Sequence, residues 1–463
     1  MTGGGGPDRL DRRGGPDRRR GPDPARRAAF EVLKAVRTKD AYTNLVLPHV
    51  LGKHRLTGRD AAFATELASG TIRRQGTYDA ILAACTDRPL GTTQAKVLDV
   101  LRLGCHQLLG MRVAPHAAIS TSVDLVRSEV GPGPAGFVNA VLRRVSAHDL
   151  DTWLARVDAD RAVRYSHPQW IVDALNEAVG DDEVDALLAA DNEPPAVTLV
   201  ARPGRATVDE LPGQPTPYSP YGVTSTGGSP ADVAAVAEGR AGVQDEGSQL
   251  VAHALAVAPL DGKEARWLDV CAGPGGKAAL LAALAAQRGA RLVANERQPH
   301  RADLVRRALT GAEGVEEVTV EDGTAPPWER GSFDRVLVDA PCTGLGALRR
   351  RPEARWRRRP EDLRELVPLQ RALVSSALDL VRPGGVVVYA TCSPVLAETR
   401  DVLGSLLVSR DDVTLGDTTA LMTAAAGLRS DVPSCAGPLA GTVQLWPHRH
   451  RTDAMFLALL RKG

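Results

Sequence analysis

The sequence predicts a multi-domain protein in which an all-α helical bundle is followed by a small α+β region and then by an α/β doubly wound domain. Three observations lead to this prediction. The chain has 463 residues, which is long for a single domain. As far as about residue 146, apolar residues recur every three or four positions, which is the period of amphipathic helices. After residue 243, apolar runs of strand length alternate with amphipathic helices, as in a sheet covered by helices on both faces.

The N-terminal segment consists mainly of Gly, Pro, Arg and Asp and has almost no apolar side chain to bury. We therefore predict a disordered basic tail over residues 1–24. The segment lacks the apolar stretch of a secretory signal, and no later run is apolar for long enough to span a bilayer. The six cysteines include no CxxC pair, which argues against a disulfide framework and a zinc site. These observations predict a cytoplasmic protein with no membrane association and no bound metal.

Residues 25–147 carry the helical pattern of the predicted bundle. For example, Phe30, Leu33 and Val36 would share one helix face. Short breaks rich in Gly, Pro or Thr separate the segments, so we expect a compact bundle of about six or seven helices. Residues 148–240 combine helical segments with one strand-like run and a stretch that is dense in turn formers. A small α+β unit and an extended linker both fit that composition.

Residues 241–463 predict a Rossmann-like domain built on a mostly parallel sheet. Its last two strand-like runs, TVQLWP and AMFLALLRK, are close enough in sequence to form an antiparallel hairpin. Ligands of such sheets bind beyond the carboxyl ends of the strands. Cys271, Cys342 and Cys392 each follow a strand-like run, so we expect all three thiols at that edge of the sheet.

The segment LDVCAGPGGKAALL leads from a predicted strand into a predicted helix. Gly273, Gly275 and Gly276 would let a ligand approach the backbone at the helix N-terminus. The dinucleotide fingerprint GxGxxG is absent because these glycines read GxGG. The phosphate-binding P-loop is also absent, because Cys271 and Ala278 replace its Gly and its Ser or Thr. The loop is therefore expected to bind a ligand other than a phosphate-bearing nucleotide.

Carboxylates follow the next two predicted strands. Glu296 ends the run RLVANE, where it can accept hydrogen bonds from both hydroxyls of a ribose. Asp322 ends the run VEEVTVED, where it can accept a hydrogen bond from an adenine amino group. A ribose and an adenine without a phosphate site indicate S-adenosylmethionine. The alternative for Asp322 is a simple turn formed with Gly323.

Two thiols beside a carboxylate suit methyl transfer to a pyrimidine carbon. C5 of a pyrimidine is a poor nucleophile until a thiolate adds to C6. After the transfer the C5 proton must leave so that the thiol can be eliminated, which gives a second ionisable side chain a role. Asp339, at the end of the strand before Cys342, could hydrogen-bond N3 and the exocyclic amine of a cytosine. These residues alone do not order Cys342 and Cys392, and burial in the core is the alternative for both.

The segments CAGPGGK, DAPCTGLG and YATCS occur in this order, and SHPQWIV and VQDEGSQLVAHAL precede them. In these segments the chain resembles the Sun (Fmu) family of RNA cytosine-5 methyltransferases, and within it the RsmB-type subgroup that acts on 16S rRNA. The resemblance covers nearly everything after Ala25. It implies that residues 25–147 are a NusB-like RNA-binding domain, that residues 148–240 are a linker with a small RNA-binding region, and that residues 241–463 are the methyltransferase domain.

The resemblance implies S-adenosylmethionine-dependent methylation of C5 of a specific cytidine in 16S rRNA, through a covalent adduct between a cysteine and C6. It implies that Cys392 is the nucleophile and that Cys342 assists product release. The residues that it places in contact with the cofactor are Cys271, Ala272, Gly273, Pro274, Gly275, Gly276, Lys277, Glu296, Asp322 and Asp339. This chain departs from the family in three places, one of which is TDAMF near the C-terminus, where Asp, Gly and two aromatic residues are usual. Gly273 stands where Ala is common, a change that we expect to be harmless, and Glu398 alone remains of the acidic run after TCS.

The segment LRRRPEARWRRRP directly follows DAPCTGLG and is rich in arginine. The whole chain carries 57 Lys and Arg against 56 Asp and Glu, so a basic surface can only be local. Because arginines pair with phosphates and tryptophan stacks on bases, we expect Arg349, Arg350, Arg355 and Trp356 to contact RNA. The alternative is a solvated face. The expected partner is 16S rRNA, free or in a partly assembled small subunit, and the protein is expected to be a monomer.

Two other functions fit parts of the sequence. A transfer RNA or DNA cytosine-5 methyltransferase would use the same chemistry, but the helical bundle and the second thiol in DAPC favour ribosomal RNA. A non-catalytic RNA-binding factor for ribosome assembly or antitermination would use the bundle alone. The intact thiol pair and the complete cofactor loop argue against such a factor.

Overall fold

A computed structural model of the chain describes residues 22–39, 41–425 and 434–463. The predicted tail over residues 1–24 lies almost wholly outside the described residues. The chain forms two compact units. Among the described residues, the first unit comprises residues 22–39, 41, 46–71 and 81–153, and the second comprises residues 42–45, 72–80, 154–425 and 434–463.

Helices are the regular elements of the N-terminal part of the chain in the residues described up to Val145. Phe30 and Leu33 are almost completely buried, as expected for the apolar face of an amphipathic helix. The predicted all-α bundle is therefore confirmed. Its helices are α1 (Pro24–Lys39), α2 (Thr43–Lys53), α3 (Gly58–Arg73), α4 (Gln75–Ala84), α5 (Ala95–Cys105), α6 (Pro115–Glu129) and α7 (Ala135–Val145).

The region that follows combines short helices with a small antiparallel sheet. Four strands pair in the order β2-β3-β1-β4 and enclose a core that contains Leu199, Leu211 and Val223. The region therefore has its own packed core and is more than an extended linker. Its elements are α8 (Leu150–Arg156), α9 (Arg161–Tyr165), α10 (Gln169–Val179), α11 (Asp181–Ala190), β1 (Thr198–Ala201), β2 (Gly213–Pro215), β3 (Gly222–Ser225), α12 (Ala234–Ala237) and β4 (Ala241–Val243).

An eight-stranded sheet forms the centre of the C-terminal region. Its order is β10-β12-β9-β8-β5-β6-β7, with β11 paired to β12. Strands β5 to β9 run parallel, whereas β10, β11 and β12 add antiparallel pairs, including the predicted C-terminal hairpin. The strands are β5 (Arg266–Asp269), β6 (Arg291–Asn295), β7 (Val315–Thr319), β8 (Phe333–Asp339), β9 (Val381–Thr391), β10 (Val413–Leu415), β11 (Val443–Gln444) and β12 (Phe456–Lys462).

Helices cover both faces of this sheet, which confirms the doubly wound prediction. Leu337 of β8 packs in one core cluster, while its neighbours Val336 and Val338 pack in the other, as the alternation along a strand requires. The strand order reverses between β5 and β8, because β6 and β7 lie on one side of β5 and β8 and β9 lie on the other, and ligands bind at such a switch point. The helices are α13 (Glu246–Val257), α14 (Gly276–Gln287), α15 (Pro299–Ala308), α16 (Ala354–Arg357), α17 (Leu363–Leu380), α18 (Arg400–Ser409), α19 (Thr418–Ala425) and α20 (Pro447–His450). Among the described residues, no helix combines the length and the apolarity needed to cross a bilayer.

Candidate active site

Two thiols meet where β8 and β9 end. Cys342 follows β8, Cys392 follows β9, and their Sγ atoms lie 3.4 Å apart, with both cysteines in the free form. The two loops are tied together because the Gly346 amide donates to the Cys392 carbonyl at 2.9 Å. A Cβ atom at Gly346 would lie only 2.1 Å from the carbonyl oxygen of Ala454, so this close approach requires glycine.

A buried carboxylate accepts hydrogen bonds from both of the loops that carry the thiols. Glu398 accepts hydrogen bonds from the Thr343 amide at 2.8 Å and from the Ser393 hydroxyl at 2.5 Å. It also accepts from the Gln370 amide at 3.0 Å. Thr343 and Ser393 are the direct neighbours of the two cysteines, so one fully buried side chain fixes both loops. Sequence reasoning noted Glu398 only as a remnant of an acidic run and missed this role.

The pKa values of the two thiols are shifted in opposite directions. The hydrogen bond from Cys342 lowers the pKa of Cys392, and the nearby charges of Arg351 and Lys277 act in the same direction against burial and Asp339. The pKa of Cys342 is raised well above its usual range, first by its hydrogen bond with Cys392 and then by burial. The Cys392 sulfur is therefore the one that the surroundings favour as a thiolate.

An ion pair stands beside the thiols at the ends of β5 and β8. Lys277, at the start of α14, donates to Asp339 Oδ2 at 2.8 Å and to the Ser248 hydroxyl at 3.3 Å. Burial works to lower the pKa of Lys277, but Asp339 outweighs it and the net shift is upward. Lys277 therefore stays a cation, and its charge acts on both Asp339 and Cys392.

Cys271 lies in the glycine loop and does not contact the pair formed by Cys342 and Cys392. Its amide donates to Asp269 Oδ1 at 3.3 Å, and its pKa is raised well above the usual range by burial and by Asp269, Asp339 and Glu296. Asp269 is fully buried, and burial raises its pKa to about 8. Among the described residues its Oδ2 atom finds no hydrogen-bond partner. The sequence placed three thiols at one edge, and the structure brings only two into contact.

Glu296 faces the glycine loop after β6. Its carboxylate accepts from the Gln298 amide at 2.9 Å, and its Oε2 lies 3.5 Å from Arg301 Nε. Arg301 also donates to the Gly273 carbonyl at 2.7 Å. A Cβ atom at residue 273 would lie 2.0 Å from Glu296 Oε2. An alanine at this position would require the flexible end of the Glu296 side chain to shift, and the expectation that Gly273 is a harmless change stays a prediction.

Asp322 lies three residues beyond the end of β7. Its Oδ1 accepts from the amide and the hydroxyl of Thr324 at 3.0 and 2.7 Å, which is the turn that the sequence left open. These bonds lower the pKa of Asp322. Its Oδ2 lies 3.6 Å from Arg297 Nη2 at the surface, where a ligand can reach it. The unpartnered oxygen of Asp269 and the carboxylate of Glu296 over the glycine loop fit a ligand with a ribose and amino groups.

Two family models match the chain. The model described as 16S rRNA methyltransferase RsmB/F matches residues 254–461, and the NusB family model matches residues 23–147. The putative methyltransferase Rv1407 of Mycobacterium tuberculosis is 52% identical and covers 96% of this chain and 98% of its own. The probable ribosomal RNA small subunit methyltransferase B of Synechocystis is 32% identical over 95% of this chain and 99% of its own. The chain belongs to the RsmB/F family of 16S rRNA methyltransferases.

Solved structures show the same fold. The structure described as PH0851 has a TM-score of 0.77 at 22% identity and covers 95% of this chain and 99% of its own. NSun6 from Pyrococcus horikoshii with SFG has a TM-score of 0.52 at 17% identity over 64% of this chain and 98% of its own. Membership in the RsmB/F family confirms the predicted enzyme class, the NusB-like domain and S-adenosylmethionine as the cofactor.

The arginine-rich segment of this family member is only partly available to RNA. Arg355 has no exposed surface, and its guanidinium donates to Asn192 Oδ1 at 2.8 Å and to the Ser166 and Asp191 carbonyls at 3.2 and 3.1 Å. Arg349 is also buried and donates to the Arg451 carbonyl at 3.0 Å. The prediction of RNA contact is wrong for Arg349 and Arg355, because protein carbonyls and side chains take up their donors.

Arg350 and Trp356 are partly exposed but also have partners within the chain. Arg350 pairs with Asp245 and lies 3.2 Å from Asp453 Oδ2. The indole nitrogen of Trp356 donates to the Ile72 carbonyl at 2.8 Å. RNA contact stays a prediction for these two residues, and their observed role is to hold the segment in place.

Proposed function

We propose that the protein methylates C5 of a specific cytidine in 16S rRNA through a transient bond between Cys392 Sγ and C6 of the base. The observation that carries this proposal is the pair of free thiols 3.4 Å apart at the sheet edge, of which Cys392 has the lowered pKa. A thiolate is the form that adds to C6, and the addition makes C5 nucleophilic. The nearby cations Lys277 and Arg351 stabilise that thiolate.

Bound S-adenosylmethionine supplies the methyl group to C5. The residues from Cys271 to Lys277, together with Glu296, Asp322 and Asp339, would hold it. After methylation, C5 carries both the methyl group and a proton. Loss of that proton to a base and cleavage of the C6–sulfur bond restore the aromatic ring and return the Cys392 thiolate. We propose that Cys342 assists this release, because its hydrogen bond stabilises the departing sulfur.

Asp339 is positioned to bind the pyrimidine. Within the described part of the chain, Lys277 engages only its Oδ2 atom, at 2.8 Å. The other oxygen can accept a hydrogen bond from the exocyclic amine of a cytosine, and the negative charge favours a proton on N3 as addition proceeds. This contact would select cytosine over uracil, which offers a carbonyl at the same place.

The substrate is inferred from the relatives. Those of Synechocystis and Pseudomonas syringae are named ribosomal RNA small subunit methyltransferase B, and a NusB-family segment precedes the methyltransferase domain here. We propose 16S rRNA, free or in a partly assembled small subunit, as the substrate. We also propose that the domains of the protein comprise residues 25–147, 148–240 and 241–463. A stacked cytidine hides C6, so the target has to be looped out of its helix.

A trapping experiment tests the proposal. A 16S rRNA transcript that contains 5-fluorocytidine is incubated with the protein and S-adenosylmethionine, because fluorine at C5 blocks the elimination step. We expect a protein–RNA species that survives denaturing electrophoresis, and bisulfite sequencing of an ordinary methylated transcript would locate the cytidine. If no covalent species forms while the cofactor binds, the proposal is wrong.

A further inference from the structure

An exposed tyrosine stands next to the arginine-rich segment. Tyr42 is 40% exposed, so part of its ring can be reached by a ligand. The guanidinium carbons of Arg351 and Arg357 lie 5.2 and 5.6 Å from the centre of its ring. These distances are typical of cation–π contacts. Tyr42, Arg351 and Arg357 are called the Tyr42 cluster below.

A buried contact fixes Tyr42 in this place. The next residue, Thr43, donates from its amide to Glu353 Oε1 at 3.2 Å and from its hydroxyl to Glu353 Oε2 at 2.7 Å. Both side chains are almost completely buried. The residue next to Tyr42 is therefore held by Glu353, which lies between Arg351 and Arg357 in sequence. A ring held in this way loses little conformational entropy when it binds a ligand.

Arg351 differs from other arginines of the segment in its surroundings. Arg350 pairs with two carboxylates and Arg355 is enclosed by the protein. In the part of the chain that the structure describes, Arg351 forms no ion pair with a carboxylate. It is also close enough to the thiols for its charge to lower the pKa of Cys392. A cation beside the reacting sulfur is well placed for a phosphate next to the target nucleotide.

We propose that the Tyr42 cluster binds the unpaired RNA strand that flanks the target cytidine, with the Tyr42 ring against a base and Arg351 against a phosphate. This inference rests on the proposed function. A cytidine that leaves its stack deprives its neighbours of one stacking partner, and an exposed aromatic ring can replace it. Unpaired strands are commonly held by aromatic rings next to a positive groove.

Equilibrium binding of a 16S rRNA transcript, measured with S-adenosylhomocysteine present, tests the proposal without requiring methyl transfer. We expect Tyr42→Ala to weaken binding about tenfold and Tyr42→Phe to keep most of the affinity, because the ring provides the stacking. We expect Arg351→Ala to reduce the slope of log affinity against log salt by about one. The matched control is Arg364→Ala, which removes an exposed arginine of α17, and we expect it to leave the affinity within about twofold.

The outcomes separate this inference from the proposed function. Unchanged RNA affinity in both Tyr42→Ala and Arg351→Ala overturns the inference, and it is the result expected if the cluster binds a protein instead. Equal losses in Tyr42→Ala and Tyr42→Phe also overturn it, because stacking would then play no part. The 5-fluorocytidine experiment with the unmodified protein decides the proposed function independently. Melting temperatures of all variants show whether the fold is retained.

Discussion

Cys342 and Cys392 are the same residue type, 3.4 Å apart at one edge of one sheet, yet their pKa values are shifted in opposite directions. Each follows a strand, and each is followed by a hydroxyl residue that binds Glu398. The largest cause of both shifts is the hydrogen bond between the two sulfur atoms, which lowers the pKa of Cys392 and raises that of Cys342. Asp339 raises the pKa of both thiols, whereas Arg351 and Lys277 lower that of Cys392 and Glu398 raises that of Cys342. The opposite shifts therefore follow from the groups around each sulfur atom and not from its place in the fold.

Removing the Cys392 thiol should have the largest effect. We expect Cys392→Ala to lower the methylation rate by about 10⁴-fold or more, because no other group would activate the pyrimidine. Incorporation of labelled methyl into a 16S rRNA transcript measures this. The control is Cys435→Ala, which removes a different thiol of the C-terminal domain that is buried in the core, and we expect it to remain active. Appreciable activity in Cys392→Ala would mean that Cys342 is the nucleophile or that no adduct forms.

Removing the Cys342 thiol should slow the release of the methylated RNA from Cys392 without preventing the addition of Cys392 to the base. We expect Cys342→Ala to form the adduct but to release it slowly, so that steady-state turnover falls about 10²-fold or more. Denaturing gels with an unmodified transcript should then show a covalent protein–RNA species that Cys392→Ala lacks. If Cys342→Ala turns over normally and no adduct accumulates, the assistance of Cys342 in release is disproved.

Glu398 is expected to position both sulfur atoms without touching the substrate. We expect Glu398→Ala to reduce turnover about 10- to 100-fold, because the amide of Thr343 and the hydroxyl of Ser393 lose their shared partner. Glu398→Gln should retain most of the activity, since an amide can accept from Thr343 and donate to the hydroxyls. The lost partner should also cost about 1–3 kcal/mol of stability.

The pH profile distinguishes a positioning role of Glu398 from mere destabilisation. If Glu398→Ala separates the thiols, the pKa of Cys392 should rise and the midpoint of the pH–rate profile should move upward. The midpoint should stay in place for Glu398→Gln. A fall in melting temperature with an unmoved midpoint in Glu398→Ala would reduce Glu398 to a structural residue.

The thiol pair could be predicted from the sequence because strands of a parallel sheet end at a common edge. A strand-like run before each cysteine was therefore enough to place it there. The positions of Glu398 and Arg355 could not be predicted in this way. Glu398 binds Thr343, which is 55 residues away, and Arg355 binds Asn192, which is 163 residues away. A run of arginines favours a solvated or RNA-binding surface on composition alone. Carbonyl groups that are distant in sequence surround and bury Arg355. The charge of Arg351, by contrast, is not neutralised by any carboxylate in the described residues.

The smallest expected effect concerns the cation near Cys392. The reactive form is the thiolate, so the single-turnover rate at saturating RNA should rise with pH through the pKa of Cys392 and level off above it. Because the charge of Arg351 lowers that pKa, Arg351→Ala should raise the midpoint and slow the reaction a few-fold near pH 7, with little change on the alkaline plateau. Arg351→Lys keeps the charge and should keep the midpoint. Since saturating RNA removes any binding defect, an unmoved midpoint in Arg351→Ala would limit Arg351 to RNA binding and leave Cys342 and Lys277 to set the acidity of Cys392.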